Sequence, residues 1–509
     1  MLSIEDRLRR AERRLNTART SPRKRPPFGM EWMQTYLPHY LTSKPSQLHL
    51  DIAQDLKSFH TTRGRKENRL APRRSGKTVW ATTGYGAYCA LEGVERYTLV
   101  FSETSTQANA FLRDIRTEIE ENETIRRDYP ESAGRGTISR DDVVRLRNGC
   151  MIQARGVGSS VRGLKNRNAR PSLIIGDDLN EDEDAYSPTR RSRKLEWFKK
   201  SVMNLGNPDT NMIVLGTAIH RQAIVYELYR GDMAATWRSK TYRSIIKWPD
   251  RMDLWSEWEQ IASNLGDESR EEKARAYYDA NRGEMDAGSV VLWPDGEPLY
   301  ELMKHRLAVG DAAFRCEKGD EPGTEGSTEW PSEYFDRPDL WFSDWPDDIQ
   351  GKAYYLDPSK GEWSKAGDWQ AHCWGGWSKR HNALYVECDL RREPTTEMVA
   401  RAIRQAQTFG SPVTAETNST MGLLMAEFER QSAGRLVGLQ GIHNSDAKLQ
   451  RMRTLGPFLA RGQIKIRNTA GGRETVSQLR DVPNGEFDDG CDALAGLNRR
   501  VLVNLQGGR

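Results

Sequence analysis

Short apolar runs alternate with helical stretches from about Trp32 to Gly231, the pattern of a sheet with helices packed on it. The runs predict strands over Tyr97–Phe101, Val143–Leu146, Met151–Ala154, Ser172–Ile175 and Met212–Leu215, with helices following Thr78, Ser105 and Ser187. Asn148-Gly149 stands between two of these strands and signals a hairpin, because both residues tolerate positive φ. From Lys352 the pattern changes. Strands predicted over Ala353–Leu356, Ala371–Trp377 and Ala383–Cys388 follow one another directly. They give way to a helix (Thr395–Thr408), a strand (Val413–Glu416), a helix (Gly422–Gln431) and a strand (Arg435–Leu439). A helix (Ala447–Ala460), a short strand (Ile464–Ile466) and a last helix from about Asp489 complete the chain. No internal repeat interrupts the pattern.

Length and composition add bounds. The chain has 509 residues, of which 37% are hydrophobic and 29% charged, enough for ordinary cores in two to four domains. The expected boundaries are a basic arm at 1–30, a first α/β domain at 31–235, its end and a connector at 236–345, and a second α/β domain at 346–509. No run approaches the roughly 20 apolar residues of a membrane helix, and Met1 to Arg14 lacks the apolar core of a secretion signal. The six cysteines (Cys89, Cys150, Cys316, Cys373, Cys388, Cys491) show no disulfide or zinc spacing, so a reduced, intracellular setting is expected. The formal charge of +4 is uneven: residues 1–29 carry nine basic and three acidic groups. A basic arm of this kind suits nucleic acid or an acidic partner, and equally a solvated helix with a Pro-rich linker.

The first candidate site is Ala71-Pro72-Arg73-Arg74-Ser75-Gly76-Lys77-Thr78, a phosphate-binding loop with Ala71 where the first glycine is expected. Such a loop points backbone N–H groups at phosphate oxygens, and the following helix adds its positive end. Arg73, Arg74, Ser75 and Gly76 line the loop; Lys77 reaches the β- and γ-phosphates of ATP, and the Thr78 hydroxyl ligates Mg²⁺. About a hundred residues on, Ser172-Leu173-Ile174-Ile175-Gly176-Asp177-Asp178 is an apolar strand ending in two carboxylates. Asp177 suits the Mg²⁺ water shell, and Asp178 or Glu181 the base that deprotonates the attacking water. Arg162 and Arg74 are candidates for stabilising the transferred phosphoryl group, and Arg162 with Lys165, Arg167 and Arg170 is equally a DNA-contacting surface. The strand running into Leu215-Gly216-Thr217-Ala218-Ile219-His220 suits a segment that reports hydrolysis. Together these make a RecA-like P-loop ATPase domain.

The second candidate site gathers carboxylates that are far apart in the chain. Three consecutive strands followed by alternating helix and strand is the element order of the ribonuclease-H-like fold. Asp357 ends the first of those strands, Glu416 ends a later one, and Asp488, Asp489 and Asp492 open the last helix. Clustered carboxylates stay ionised only with cations between them, and hard oxygen ligands select Mg²⁺ or Mn²⁺. Two such ions about 3.5–4 Å apart activate water and stabilise the leaving oxygen of a phosphodiester. Glu362 and Asp368 are candidate secondary ligands. The bland readings are a helix N-terminus capped by acids and an ordinary Asp357-Pro358 turn.

In their order, these motifs resemble the large terminase subunit of tailed bacteriophages, from about Tyr36 to Leu497. The landmarks are Pro72 to Thr78, Arg162-Gly163, Asp177-Asp178, Leu215 to His220, Gly310-Asp311-Ala312-Ala313-Phe314, Asp357-Pro358-Ser359, Ala415-Glu416-Thr417-Asn418 and Asp488 to Leu494. The resemblance implies an N-terminal RecA-like P-loop ATPase domain followed by a ribonuclease-H-like nuclease domain. It further implies ATP-driven movement of double-stranded DNA into a procapsid, and metal-dependent cutting of concatemeric DNA. The implied partners are the portal protein, a small terminase subunit and further copies in a ring, usually pentameric, in the host cytoplasm and transiently on the procapsid. Many relatives have Asp-Glu where this chain has Asp177-Asp178. The alternatives are a helicase-like ATPase without nuclease activity and a non-enzymatic portal- or DNA-binding scaffold.

Overall fold

The computed structural model describes residues 25–161, 163–180, 184, 187–319, 321, 328–358, 369–416, 421–432, 438–443, 448–483, 485 and 487–507. The basic arm up to Lys24, Arg162, Glu181, Glu362 and Asp368 lie outside them. The chain divides into two compact units. One holds the residues up to Trp248 with Val290–Leu302 and Arg315–Thr324; the other holds Pro249–Ser289, Met303–Phe314 and Glu325–Arg509. The stretch expected to end one domain and connect it to the next, 236–345, is thus shared between the two. It also carries helices that its mixed composition did not predict: Met252–Ala262, Arg270–Met285, Leu299–Val309 and Asp311–Gly319.

Among the described residues the first unit has an eight-stranded sheet. Its strands are β1 (Lys66–Leu70), β2 (Tyr97–Ser102), β3 (Ile138–Arg140), β4 (Val143–Arg145), β5 (Met151–Gly156), β6 (Leu173–Asp177), β7 (Asn211–Gly216) and β8 (Arg238–Thr241). They run in the order β3-β4-β5-β2-β6-β7-β1-β8. From β5 to β8 all neighbours are parallel, and β3-β4 form an antiparallel edge against β5. The expected hairpin lies between β4 and β5, with Gly149 at φ +86°. Alternate residues of the central strands enter opposite cores, as a sheet covered on both faces requires. Val100, Ile175, Ile213 and Leu215 pack with Trp32, Ile52, Tyr85 and Ile115, whereas Leu99, Ile174, Met212 and Val214 pack with Phe198, Ile224 and Leu228. With the loop strand β1 separated from the acidic strand β6 by β7, this is a RecA-like sheet. A small antiparallel pair, β9 (Ile245–Lys247) and β10 (Val290–Val291), accompanies it.

The second unit has a seven-stranded sheet among the described residues: β11 (Trp341–Phe342), β12 (Ile349–Asp357), β13 (Gln370–Ser378), β14 (Ala383–Arg391), β15 (Val413–Glu416), β16 (Leu439–Ile442) and β17 (Ile464–Arg467), ordered β11-β17-β14-β13-β12-β15-β16. β12, β13 and β14 are antiparallel neighbours, and β15 joins β12 in parallel. This is the ribonuclease-H-like sheet. The last helix, Asp489–Gly507, covers one face with Cys491, Leu494 and Leu497, and the helix Thr395–Phe409 covers the other with Val399 and Ile403. Cys373 and Cys388, unrelated by sequence spacing, face each other across β13 and β14 with sulfurs 3.1 Å apart.

Several elements differ from expectation. The strand expected at Arg435–Leu439 is found at Leu439–Ile442, with 433–437 outside the described residues. The single helix expected over Ala447–Ala460 is two, Lys448–Arg453 and Gly456–Ala460. Pro457 stands in the first turn of the second, where its missing N–H is tolerated but cannot continue the first helix. A helix over Ala470–Asp481, capped by the Thr469 hydroxyl accepting from the Gly472 N–H, was not predicted.

β1 was not predicted either, because Lys66-Glu67-Asn68-Arg69-Leu70 reads as a solvated segment. It is nevertheless an interior strand, flanked by β7 and the edge strand β8, with Glu67, Asn68 and Arg69 each at most 1% exposed. Charge pairing makes this burial tolerable. Arg69 donates to Asp55 and, at 2.8 Å, to Glu67, and its remaining donors reach the carbonyls of Asn68 and Arg238. Arg65 donates to the other Glu67 oxygen at 2.6 Å. Removing one partner of a buried ion pair strands the other charge. Arg69→Met is therefore expected to destabilise the first unit by about 3–5 kcal/mol, read as a lowered midpoint in urea denaturation. Adding Glu67→Gln should recover part of the loss. An unchanged midpoint for the single variant would show the network to be dispensable.

Candidate active sites

The phosphate loop leaves the end of β1 and enters a helix whose first part, Val79–Gly84, is wound as π-helix before continuing as Tyr85–Glu92. Arg74 and Gly76 both have left-handed backbone, φ +62° and +74°, with Ser75 between them. Alternation of hand curls successive N–H groups toward one concave side, an anion-binding arrangement. At Gly76 the conformation and the packing both demand glycine, since a Cβ there would stand 2.9 Å from His49 Nε2. Arg74 is exposed, and Arg73 is half-buried with its guanidinium 3.3 Å from Glu317.

Lys77, Thr78, Asp177 and Asp178 come together beyond the loop. Lys77 is 4% exposed and its Nζ lies 3.2 Å from Asp178 Oδ2. Thr78 donates to Asp177 Oδ1 at 3.1 Å and Thr82, one turn on, donates to Oδ2. Burial, reinforced by the neighbouring Asp178 charge, pushes the Asp177 carboxyl up to about 6 against the opposing pull of Lys77 and the two hydroxyls. Asp178 has left-handed backbone (φ +47°), pinned by its N–H to the Leu215 carbonyl and by its carbonyl to the Glu103 N–H. That conformation is rare outside glycine, Asn and Asp. Arg162 and Glu181, expected here, lie outside the described residues. Thr217, within the expected reporting segment, donates to the Ala71 carbonyl at 2.9 Å, so that segment touches the loop directly.

In the second unit, parallel pairing of β12 with β15 sets Leu356 opposite Ala415, which brings the next residues, Asp357 and Glu416, to one sheet edge. The last helix closes down on β12 because Gly496 lies against the Tyr355 ring, where a Cβ would stand 2.3 Å from Cζ. This close approach delivers Asp492. Asp357, Glu416 and Asp492 each offer an oxygen, all within 4.8 Å of one another. Asp488 and Asp489, which the sequence offered beside Asp492 as ligands, do not join that group. Asp489 accepts from the Trp369 N–H at 2.9 Å and faces Lys448 at 3.4 Å, and Asp488, ahead of the helix, pairs with Lys448 at 2.6 Å. Arg451 binds Asp492 through two nitrogens and lies 3.7 Å from Glu416. Lys448 and Arg451, three residues apart on one short helix, carry the positive charge of this site, and nothing in their local sequence marked them.

Three converging carboxylates fit a hard divalent cation such as Mg²⁺ or Mn²⁺. Burial pushes the Asp357 carboxyl up to about 8, and the Asp492 and Glu416 charges add to the rise while Lys448 opposes it. A divalent ion held by the three carboxylates would offset that rise.

No family model matches the chain, and no curated protein does. Solved structures do resemble it. The large terminase of the thermophilic bacteriophage D6E, solved with ADP, is 10% identical with TM-score 0.45, covering 91% of this chain and 99% of that one. The large terminase of bacteriophage HK97 is 12% identical with TM-score 0.32, covering 92% and 97%. The large terminase nuclease of thermophilic phage G20c, with bound magnesium, is 15% identical with TM-score 0.22, covering 30% and 82%. Among the described residues no helix is long and apolar enough to cross a membrane.

The raised Asp357 carboxyl has a measurable consequence. The group is largely protonated at pH 7, and a cation can bind only its ionised form, so proton release accompanies metal binding. Mn²⁺ affinity in calorimetric titrations should rise by up to about tenfold per pH unit between pH 6 and 8 and then level off. Equal affinity at pH 6 and 8 would contradict the assignment.

Proposed function

We propose that the chain is the large subunit of a phage terminase, in which ATP hydrolysis drives double-stranded DNA into a procapsid and a two-metal endonuclease cuts concatemeric DNA. The observation that carries this reading is the presence in one chain of two sites with complementary chemistry. One is a curled phosphate loop facing a pair of strand-end carboxylates. The other is a triad of carboxylates gathered from two parallel strands and a helix. A helicase would need a second RecA-like lobe, and the second unit has a ribonuclease-H-like sheet instead. A decayed scaffold would have no reason to keep Lys77, Thr78, Asp177, Asp357, Glu416 and Asp492 in these positions.

At the first site Mg²⁺, when bound, neutralises phosphate charge. Loop N–H groups and Lys77 would grip the β- and γ-phosphates, and the Thr78 hydroxyl, beside Asp177, would help hold the ion. Asp177 stays in place through Thr82 and orients the ion's water shell. Asp178 is the carboxylate that takes the proton of the attacking water. Glu181 is the alternative base, and Arg74 or Arg162 stabilises the transferred phosphoryl group. At the second site the metal ions, when bound, lower the pKa of the attacking water and stabilise the leaving oxygen. Asp357, Glu416 and Asp492 hold them, and Asp489 and Asp488 hold Lys448 beside the triad. The implied partners remain DNA, a portal, a small subunit and further copies in a ring, with the basic arm available to any of them.

The two activities should separate. Lys77→Ala is expected to reduce ATP turnover to background while Mn²⁺- or Mg²⁺-dependent nicking of plasmid DNA stays within about twofold of wild type. Asp357→Ala should do the reverse. Phosphate-release and plasmid-cleavage assays on the same preparations read both. If Asp357→Ala left cutting intact, the nuclease assignment would fail.

A further inference from the structure

A trans peptide group points its carbonyl and the next residue's N–H in opposite directions. Whatever holds a carbonyl of the phosphate loop from behind therefore decides which way the following N–H faces. Three alternate carbonyls of this loop are held in that way, each by a side chain from a different element. Thr217, just past β7, donates its hydroxyl to the Ala71 carbonyl at 2.9 Å. Lys318, 2% exposed and also paired with Glu297, donates Nζ to the Arg73 carbonyl at 2.8 Å. His49, 2% exposed, contacts the Ser75 carbonyl through Nε2 at 2.6 Å.

The direction of the last bond follows from the ring's other nitrogen. His49 Nδ1 lies 2.9 Å from the Ser46 N–H, which can only donate, so Nδ1 accepts and the proton sits on Nε2. Burial lowers the His49 pKa, which keeps the ring in this neutral form. Trp80 stacks parallel to the ring and Trp293 meets it edge-on, at centroid distances of 5.6 Å and 4.9 Å, so the donor cannot turn away. The Arg73 N–H is also engaged, to the Glu317 carbonyl at 3.1 Å.

We infer that Thr217, Lys318 and His49 form a three-point carbonyl tether that presets the phosphate loop, so that the Arg74 and Gly76 N–H groups face the nucleotide before it arrives. This deepens the ATP-binding reading and rests on it. Lys318 directs the Arg74 N–H and His49 directs the Gly76 N–H. Thr217 seats the entry to the loop, where Pro72 has no N–H to direct. All three are positioning residues; none needs to touch the phosphates. The expected contribution is to nucleotide affinity, because the directed N–H groups bind phosphate equally in the ground and transition states.

The test compares variants that keep the shape and lose the donor with variants that keep the donor. His49→Phe retains a stacked ring without its N–H, and His49→Gln restores a donor. His49→Phe should raise the Kd and KM for Mg·ATP roughly five- to tenfold, with kcat within about twofold; His49→Gln should recover most of the affinity. Should His49→Phe melt early, Thr217→Val against Thr217→Ser carries the same comparison with a near-isosteric change. Wild-type affinity in His49→Phe, or a loss in kcat alone, overturns the tether while leaving the ATP site standing. Failure of the wild type itself to bind Mg·ATP overturns both.

Discussion

Parallel pairing carries the carboxyl ends of strands that are distant in the chain to one edge of a sheet, and both sites are built on that geometry. In the first unit β1, β7 and β6 end side by side. The phosphate loop, Thr217 and the Asp177-Asp178 pair therefore meet although 99 residues separate Thr78 from Asp177 and 146 separate Ala71 from Thr217. In the second unit β12 and β15 are parallel neighbours within a partly antiparallel sheet, and that single pairing brings Asp357 level with Glu416. Shifting β15 by one residue would turn Glu416 to the opposite face and dismantle the triad.

Both edges concentrate negative charge away from water: the raised carboxyl is the fully buried Asp177 in the first, and in the second it is Asp357, beside the less exposed Asp492. The surrounding cations differ in kind. Lys77 in the first unit is a single buried ammonium pointing at the second carboxylate. In the second unit Lys448 and Arg451 divide the acids between them, one taking Asp488 and Asp489 and the other Asp492 and Glu416. Burial works against the charge of both cations, yet their carboxylate partners outweigh it and raise both pKa values. That division separates a ligand-like triad from two acids occupied in local structure.

Much of this was legible in the sequence, for identifiable reasons. The loop motif and the acidic strand end are local patterns whose chemistry demands their spacing, and the strands of the second unit announce themselves by apolar runs broken at turns. β1 was not legible because its two faces are polar, and only pairing with Asp55 and with main-chain carbonyls far away makes it a core strand. That Asp492 rather than Asp488 or Asp489 stands beside Asp357 and Glu416 was equally hidden. Helical spacing allowed any of the three, and the decision rests on Lys448, Trp369 and the close seating of Gly496 on Tyr355.

Four described non-glycine residues have left-handed backbone: Arg167 and Asn382 lie away from the first site, and Arg74 and Asp178 stand at it. Arg74 and Asp178 adopt it at the two lips of the first site, and neither is flagged by a turn signal in the sequence. Such conformations persist only where their surroundings over-determine them. Around Arg74 the surroundings are the carbonyl bonds from Lys318 and His49; around Asp178 they are the strand-end bonds to Leu215 and Glu103. The strain is thus held by groups outside the phosphate-binding residues, which leaves the Arg74 and Gly76 N–H groups to face substrate. A loop of the same sequence without those outer contacts would relax toward ordinary right-handed backbone and lose the curled array on which anion binding depends.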